Sequence, residues 1–169
     1  MKEPNNLQDG DILICRGKSE LSEAIMLATK SNWSHTAQVQ YVNGILCIVD
    51  AQKEGFFPRR FDMWDMEFKY TFEVYRAPKL DKYKYHEIIT EMYGANYSFK
   101  MLIVGFIPKL LFGKDVKKKY GEDNKYVCGE ATMRIIKMLG DNVLKPENYT
   151  PNDVREWCIK NNFELIKYD

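Results

Sequence analysis

Ser34-His35-Thr36-Ala37-Gln38-Val39-Gln40-Tyr41-Val42-Asn43-Gly44-Ile45-Leu46-Cys47-Ile48-Val49-Asp50-Ala51-Gln52 is the stretch on which the fold turns. Two apolar-rich runs, Ser34–Val42 and Ile45–Gln52, flank an Asn-Gly pair. Both residues of that pair tolerate positive φ, which makes it the strongest short signal for a hairpin. A two-residue loop sets the register, with Val42 facing Ile45, Ala37 facing Asp50 and His35 facing Gln52. Paired residues and alternate residues point to the same side of a sheet. His35, Ala37, Val39, Tyr41, Leu46, Ile48, Asp50 and Gln52 therefore share one face. Asp50 is the diagonal neighbour of His35, roughly 7–8 Å away by backbone and within side-chain reach. Most of that face is apolar and looks toward a core, where a histidine and a carboxylate are costly unless they satisfy each other. The register predicts that Asp50 accepts the ring N–H of His35, with Gln52 as the alternative orienting group. A slip of one residue would send Asp50 to the opposite face.

Outward from the hairpin, alternation and periodicity predict further elements. Asp11–Cys15 reads as a short strand after the Asp9-Gly10 turn. Leu21, Ala24, Ile25 and Ala28 follow helical spacing, with Ser19 as cap. Phe72–Arg76 reads as a strand stopped before Pro78. Tyr85, Ile88, Ile89 and Met92 form one helical stripe ending at Gly94. Val127, Ala131, Ile135 and Met138 form another, ending at Gly140. Thr150-Pro151-Asn152-Asp153 opens a helix to about Lys160, with cap, proline and acid in order. Phe163–Lys167 closes with a strand. Helices with mostly antiparallel strands make an α+β fold, expected as one domain over residues 1–169.

The chemistry-bearing residues are Cys128, His35 and Asp50. Cys128 lies at the mouth of its helix, where free N–H groups and the helix dipole favour a thiolate and a nearby imidazolium favours it more. The same end can receive an oxyanion, through the Cys128 amide first; Tyr97 and Tyr126 are candidates for a second donor. Thiol, imidazole and carboxylate together are the parts of an activated cysteine nucleophile. Trp33 and Ser34, just before His35, are candidate substrate contacts with Gln52; Trp33 and Ser34 fit equally well as packing and turn residues. His86 competes as base but lies on a charge-rich helix. Cys15, Cys47 and Cys158 sit in apolar-rich elements and read as core or edge residues.

Composition narrows the classes. Of 169 residues, 45% are hydrophobic and 29% charged, which excludes a disordered chain. The formal net charge of +1 gives no global field for nucleic acid, and Lys117-Lys118-Lys119 reads as a solvated loop. Four cysteines without a CxxC pair and two histidines do not compose a usual zinc set, so no metal or cofactor is expected. Met1–Asn6 is polar and contains Pro4, so no signal peptide and a cytoplasmic location are expected. The apolar run Met101–Phe112 is too short for a bilayer, which takes about 20 residues. It reads as a buried segment, a lid or a patch for transient membrane contact.

The ordered series Leu7-Gln8-Asp9-Gly10-Asp11-Ile12-Leu13, Ser31-Asn32-Trp33-Ser34-His35-Thr36-Ala37, Val49-Asp50-Ala51 and Tyr126-Val127-Cys128-Gly129-Glu130 resembles the circularly permuted branch of the NlpC-type cysteine peptidase superfamily. YiiX-like proteins and lecithin:retinol acyltransferase-like enzymes belong to that branch. The resemblance implies a papain-like fold in permuted order, with Cys128 as nucleophile, His35 as base and Asp50 as the third polar residue. The family pattern after the nucleophile is Cys-Ser-Glu; here it is Cys128-Gly129-Glu130. The expected activity is cysteine-dependent hydrolysis of amide bonds through an acyl-enzyme, with cell-wall-type peptides as a candidate substrate class. The alternatives are acyl hydrolysis or transfer on a lipid-like substrate, and a binding module without turnover.

Overall fold

The computed structural model describes residue 4, residues 6–97 and residues 125–167. At its centre is the expected hairpin, β2 (His35–Val42) and β3 (Ile45–Gln52). Asn43 and Gly44 carry φ of 51° and 78°, the left-handed pair that a tight two-residue turn requires. The pairs Val42–Ile45, Tyr41–Leu46, Gln40–Cys47, Val39–Ile48 and Gln38–Val49 follow the register read from the sequence.

Around the hairpin the strands β1 (Ile12–Arg16), β4 (Gly55–Arg60), β5 (Thr71–Arg76) and β8 (Glu164–Ile166) complete a six-stranded sheet in the order β4-β3-β2-β1-β5-β8. Every neighbouring pair in it is antiparallel. A separate short pair, β6 (Asn96–Tyr97) and β7 (Lys125–Tyr126), is parallel. The helices are α1 (Glu20–Thr29), α2 (Phe61–Phe68), α3 (Lys82–Glu91), α4 (Cys128–Leu139) and α5 (Pro151–Lys160). The expected caps are in place. Ser19 accepts from Ser22 N–H, Gly140 ends α4 at φ 117°, and Thr150 and Asp153 form a reciprocal capping box on α5. Among the described residues no helix is long and apolar enough to cross a membrane.

Both faces of the sheet are covered. One packs Leu13, Cys15, Ala37, Val39, Leu46, Ile48, Phe72 and Val74 against Phe61 and Trp64 of α2. The other packs Val49, Ala51 and Phe56 against α3 and α4, and Ile12, Ile14 and Tyr75 against α4 and α5. Burial of each large apolar side chain in these layers contributes roughly 1.5–3 kcal/mol. β4 and α2 occupy residues 55–68, where the sequence reading assigns no element. β4 is an edge strand, and that position is what lets it carry Pro58, which has no N–H for a ladder. Arg60 offers α2 no side-chain cap, so its start is unmarked.

These connections bring distant parts of the chain to one end of the sheet. β2 begins there and β3 ends there. β4 is tied to the chain before β6 by Phe56 N–H to Ala95 O at 2.9 Å and Gly94 N–H to Phe56 O at 3.0 Å. β6 pairs with β7, which runs directly into Cys128. α4 is held close to the segment before α5: a Cβ at Gly129 would lie 2.4 Å from the carbonyl oxygen of Tyr149. The absence of a side chain at position 129 is thus demanded by a backbone contact. Gly129→Ala should destabilise the protein by about 1–3 kcal/mol, read as a lower urea midpoint at unchanged slope. An unchanged midpoint would refute the close contact.

Candidate active site

His35 opens β2, Asp50 lies two residues from the end of β3, and Cys128 is the first residue of α4. All three are buried, at 6%, 2% and 5% exposure. His35 Nε2 donates to Asp50 Oδ2 at 2.9 Å, the contact anticipated from the hairpin register. The ring is also hydrogen-bonded to the Cys128 sulfur. With Nε2 held by Asp50, Nδ1 is the nitrogen left for that sulfur. The imidazole therefore bridges thiol and carboxylate.

The electrostatics follow from this bridge. Burial pushes the Cys128 thiol up. The His35 charge, the His35 hydrogen bond and the backbone N–H groups of Thr36 and Gly129 outweigh burial and bring it below its ordinary value. Burial pulls the His35 ring down, but neighbouring groups raise it well above the ordinary range. Tyr70 as a phenolate would be the strongest of these. Burial pushes the Tyr70 hydroxyl up from its ordinary value, however, so at neutral pH it is a phenol and not a phenolate. The anions that support the imidazolium are then the Cys128 thiolate and Asp50. Thiol and ring titrate as one coupled pair, favouring thiolate with imidazolium.

Three further side chains build the rear of the site. Trp64 Nε1 donates to Asp50 Oδ2 at 3.0 Å, and Gln52 Nε2 donates to the same oxygen at 2.5 Å. Tyr70 stacks on the His35 ring, with centroids 5.5 Å apart and planes 15° from parallel, and its hydroxyl bonds Gln52. Trp64 and Tyr70 were not among the residues singled out from the sequence. The Phe61, Trp64, Phe68 spacing signals a buried helical face, but nothing in it says that the indole reaches Asp50.

The remaining candidates resolve differently. Ser34 is not a cleft residue: it is 2% exposed, and its hydroxyl accepts from Gly17 N–H at 2.9 Å. It joins the chain after β1 to the start of β2. Gln52 bonds Asp50 and lies against the His35 ring, as the alternative orienting group would. Trp33 is half-buried beside α5, with the Arg155 guanidinium 5.7 Å from its ring. His86 lies in a separate network, 3.3 Å from Asp9 and 3.2 Å from Gln40. Cys15 stands opposite His35 in the β1–β2 register but is fully buried, which pushes its thiol far up. Burial also raises Cys47, and it pushes Cys158 up to about 12. The side chains of Tyr97 and Tyr126, the run Met101–Phe112 and Lys117-Lys118-Lys119 lie outside the described residues.

No protein-family model matches the chain, and no curated protein matches it. Among solved structures it is similar to the metalloprotein yiiX from Escherichia coli, a DUF1105 protein, with a TM-score of 0.60 and 21% identity. The match covers 79% of this chain and 66% of that one, so the chain spans just under two thirds of its length. Among the described residues no three His, Cys, Asp or Glu side chains gather to hold a metal ion. What the likeness shows is the fold: a mixed α+β, yiiX-like architecture with a six-stranded antiparallel sheet packed against helices.

Proposed function

We propose that this protein is a cysteine-dependent hydrolase of amide bonds, built on a permuted papain-like plan. The observation that supports the reading is the doubly bonded imidazole: His35 tied to Asp50 on one side and to a thiol of lowered pKa on the other. In this reading the Cys128 thiolate adds to the carbonyl carbon of the amide. The Cys128 N–H, at the first position of α4, is one that the helix itself cannot bond, and it receives the oxyanion. His35 gives its proton to the departing amine as the C–N bond breaks, leaving a thioester. His35 then takes a proton from water, the hydroxide adds to the thioester, and the acid leaves as the thiolate re-forms. Asp50 holds Nε2 and fixes the ring so that Nδ1 faces the sulfur.

The signs of the two shifts set the pH behaviour. The Cys128 value lies below its ordinary one, so thiolate is lost as pH falls through that lowered value. The His35 value lies well above its ordinary one, so imidazolium is lost as pH rises through that raised value. Hydrolysis should be bell-shaped between the two. Asp50→Asn should move the alkaline limb down by about one pH unit or more; a limb that stays in place would dismiss the orienting role of Asp50.

Iodoacetamide provides the direct test. Near neutral pH it should alkylate Cys128 at least about tenfold faster than Cys15, Cys47 or Cys158, because only Cys128 has appreciable thiolate. His35→Ala should slow that reaction and shift thiolate formation at Cys128, followed by ultraviolet absorbance, to higher pH. Similar labelling rates at all four cysteines would overturn the enzyme reading in favour of a binding module.

A further inference from the structure

The carboxylate behind His35 is loaded unevenly. Asp50 Oδ2 accepts from His35 Nε2 at 2.9 Å, from Trp64 Nε1 at 3.0 Å and from Gln52 Nε2 at 2.5 Å. Asp50 Oδ1 is buried without a hydrogen-bond partner. The distribution is unusual, since a buried carboxylate free to turn would share its donors between both oxygens. Something rigid must hold it, and the donor least able to move is Trp64. Its side chain is fully buried, wedged among the rings of Phe61, Phe68, Tyr70 and Phe72 at centroid distances of 5.3–6.3 Å. Gln52, by contrast, is only half-buried.

We propose that Trp64 is a positioning residue of this site: its indole N–H pins Asp50 Oδ2 against His35 Nε2 and, by sharing that oxygen, tempers the grip of the carboxylate on the ring proton. An oxygen has two lone pairs, so three donors compete for it. Removing one leaves more charge for the others. Trp64 thereby sets how readily His35 gives up its proton, although it touches neither the sulfur nor any substrate. The groups facing His35 are Cys15 from β1, Asp50 and Gln52 from β3, Tyr70 from the chain before β5 and Cys128 from α4. Trp64 reaches the ring only through Asp50. The catalytic meaning of this role rests on the hydrolase reading; the charge sharing itself does not.

The protein has two histidines and three tryptophans, so nuclear magnetic resonance can follow each one. Trp64→Phe keeps a ring in place and removes only the N–H donor and part of the indole. It should raise the His35 titration midpoint by about 0.5–1 and leave that of His86 unmoved. A merely structural tryptophan would lower the melting temperature without moving His35 relative to His86. An unchanged or lowered His35 midpoint overturns the proposal. The unsubstituted protein gives a second reading that does not depend on the variant folding. The Trp64 indole N–H resonance should shift with the same midpoint as His35, while those of Trp33 and Trp157 do not. A Trp64 resonance that stays flat through that midpoint overturns the proposal as well. If iodoacetamide fails to select Cys128, the hydrolase reading falls whatever Trp64 does. If Cys128 is selected but Trp64→Phe leaves His35 unmoved, the role of Trp64 alone falls.

Discussion

A carboxylate buried inside the sheet's inner face is the constraint that organises this molecule. The Asp50 side chain has no solvent exposure. An ion in that position is tolerated only when hydrogen-bond donors replace the water it has lost. The donors come from three separate elements: His35 from β2, Gln52 from the end of β3 and Trp64 from α2. The hairpin register and the placement of α2 are thus not independent features. Each must be right for the charge to be accommodated, and once it is, the imidazole has one orientation in which to meet the sulfur.

The opposite face of β2 shows a milder form of the same logic. Thr36, Gln38 and Gln40 alternate along the strand and are all buried beneath helices. Thr36 bonds Thr132 of α4 at 2.9 Å, and Gln40 bonds both Tyr93 and His86. A polar row under two helices costs stability wherever it goes unpaired, yet it specifies where the helices can sit, because apolar surfaces alone permit sliding. The Thr36–Thr132 bond lies one helical turn beyond Cys128, and the Thr36 N–H reaches the sulfur. The same residue therefore registers α4 on the sheet and helps stabilise its thiolate.

The legible parts of this structure were those whose causes are local. Asn43-Gly44 dictates a turn, the turn dictates a register, and the register brings Asp50 to His35; each step spans a few residues. The caps at Ser19 and Thr150 and the stop at Gly140 are local in the same sense. Trp64 and Tyr70 were not legible, because what matters about them is a contact made through tertiary packing. α2 is one short helix with no side-chain cap, and β4 interrupts its alternation with Pro58 and two arginines. Ser34 has two readings, cleft or packing and turn residue, and its burial against Gly17 agrees with the second. On a strand, neighbouring residues face opposite ways, and Ser34 turns instead to Gly17. Gly129 carries another such hidden cause: its lack of a side chain answers to the Tyr149 carbonyl, which no reading of adjacent residues brings into view.

One contact far from the sulfur bears on the order of elements along the chain. Asn6 Nδ2 donates to the Lys167 carbonyl at 2.7 Å, and Arg76 reaches the Asn6 carbonyl at 2.6 Å. Residues at the two outer ends of the described fold are therefore neighbours in space. A few linking residues would join them into a closed loop of chain, and that loop could be cut at the exposed Gly44 turn. The polypeptide would then meet its cysteine before its histidine, with every strand and helix still in its place. Whether His35 or Cys128 comes first along the chain is thus separable from the packing that brings them together.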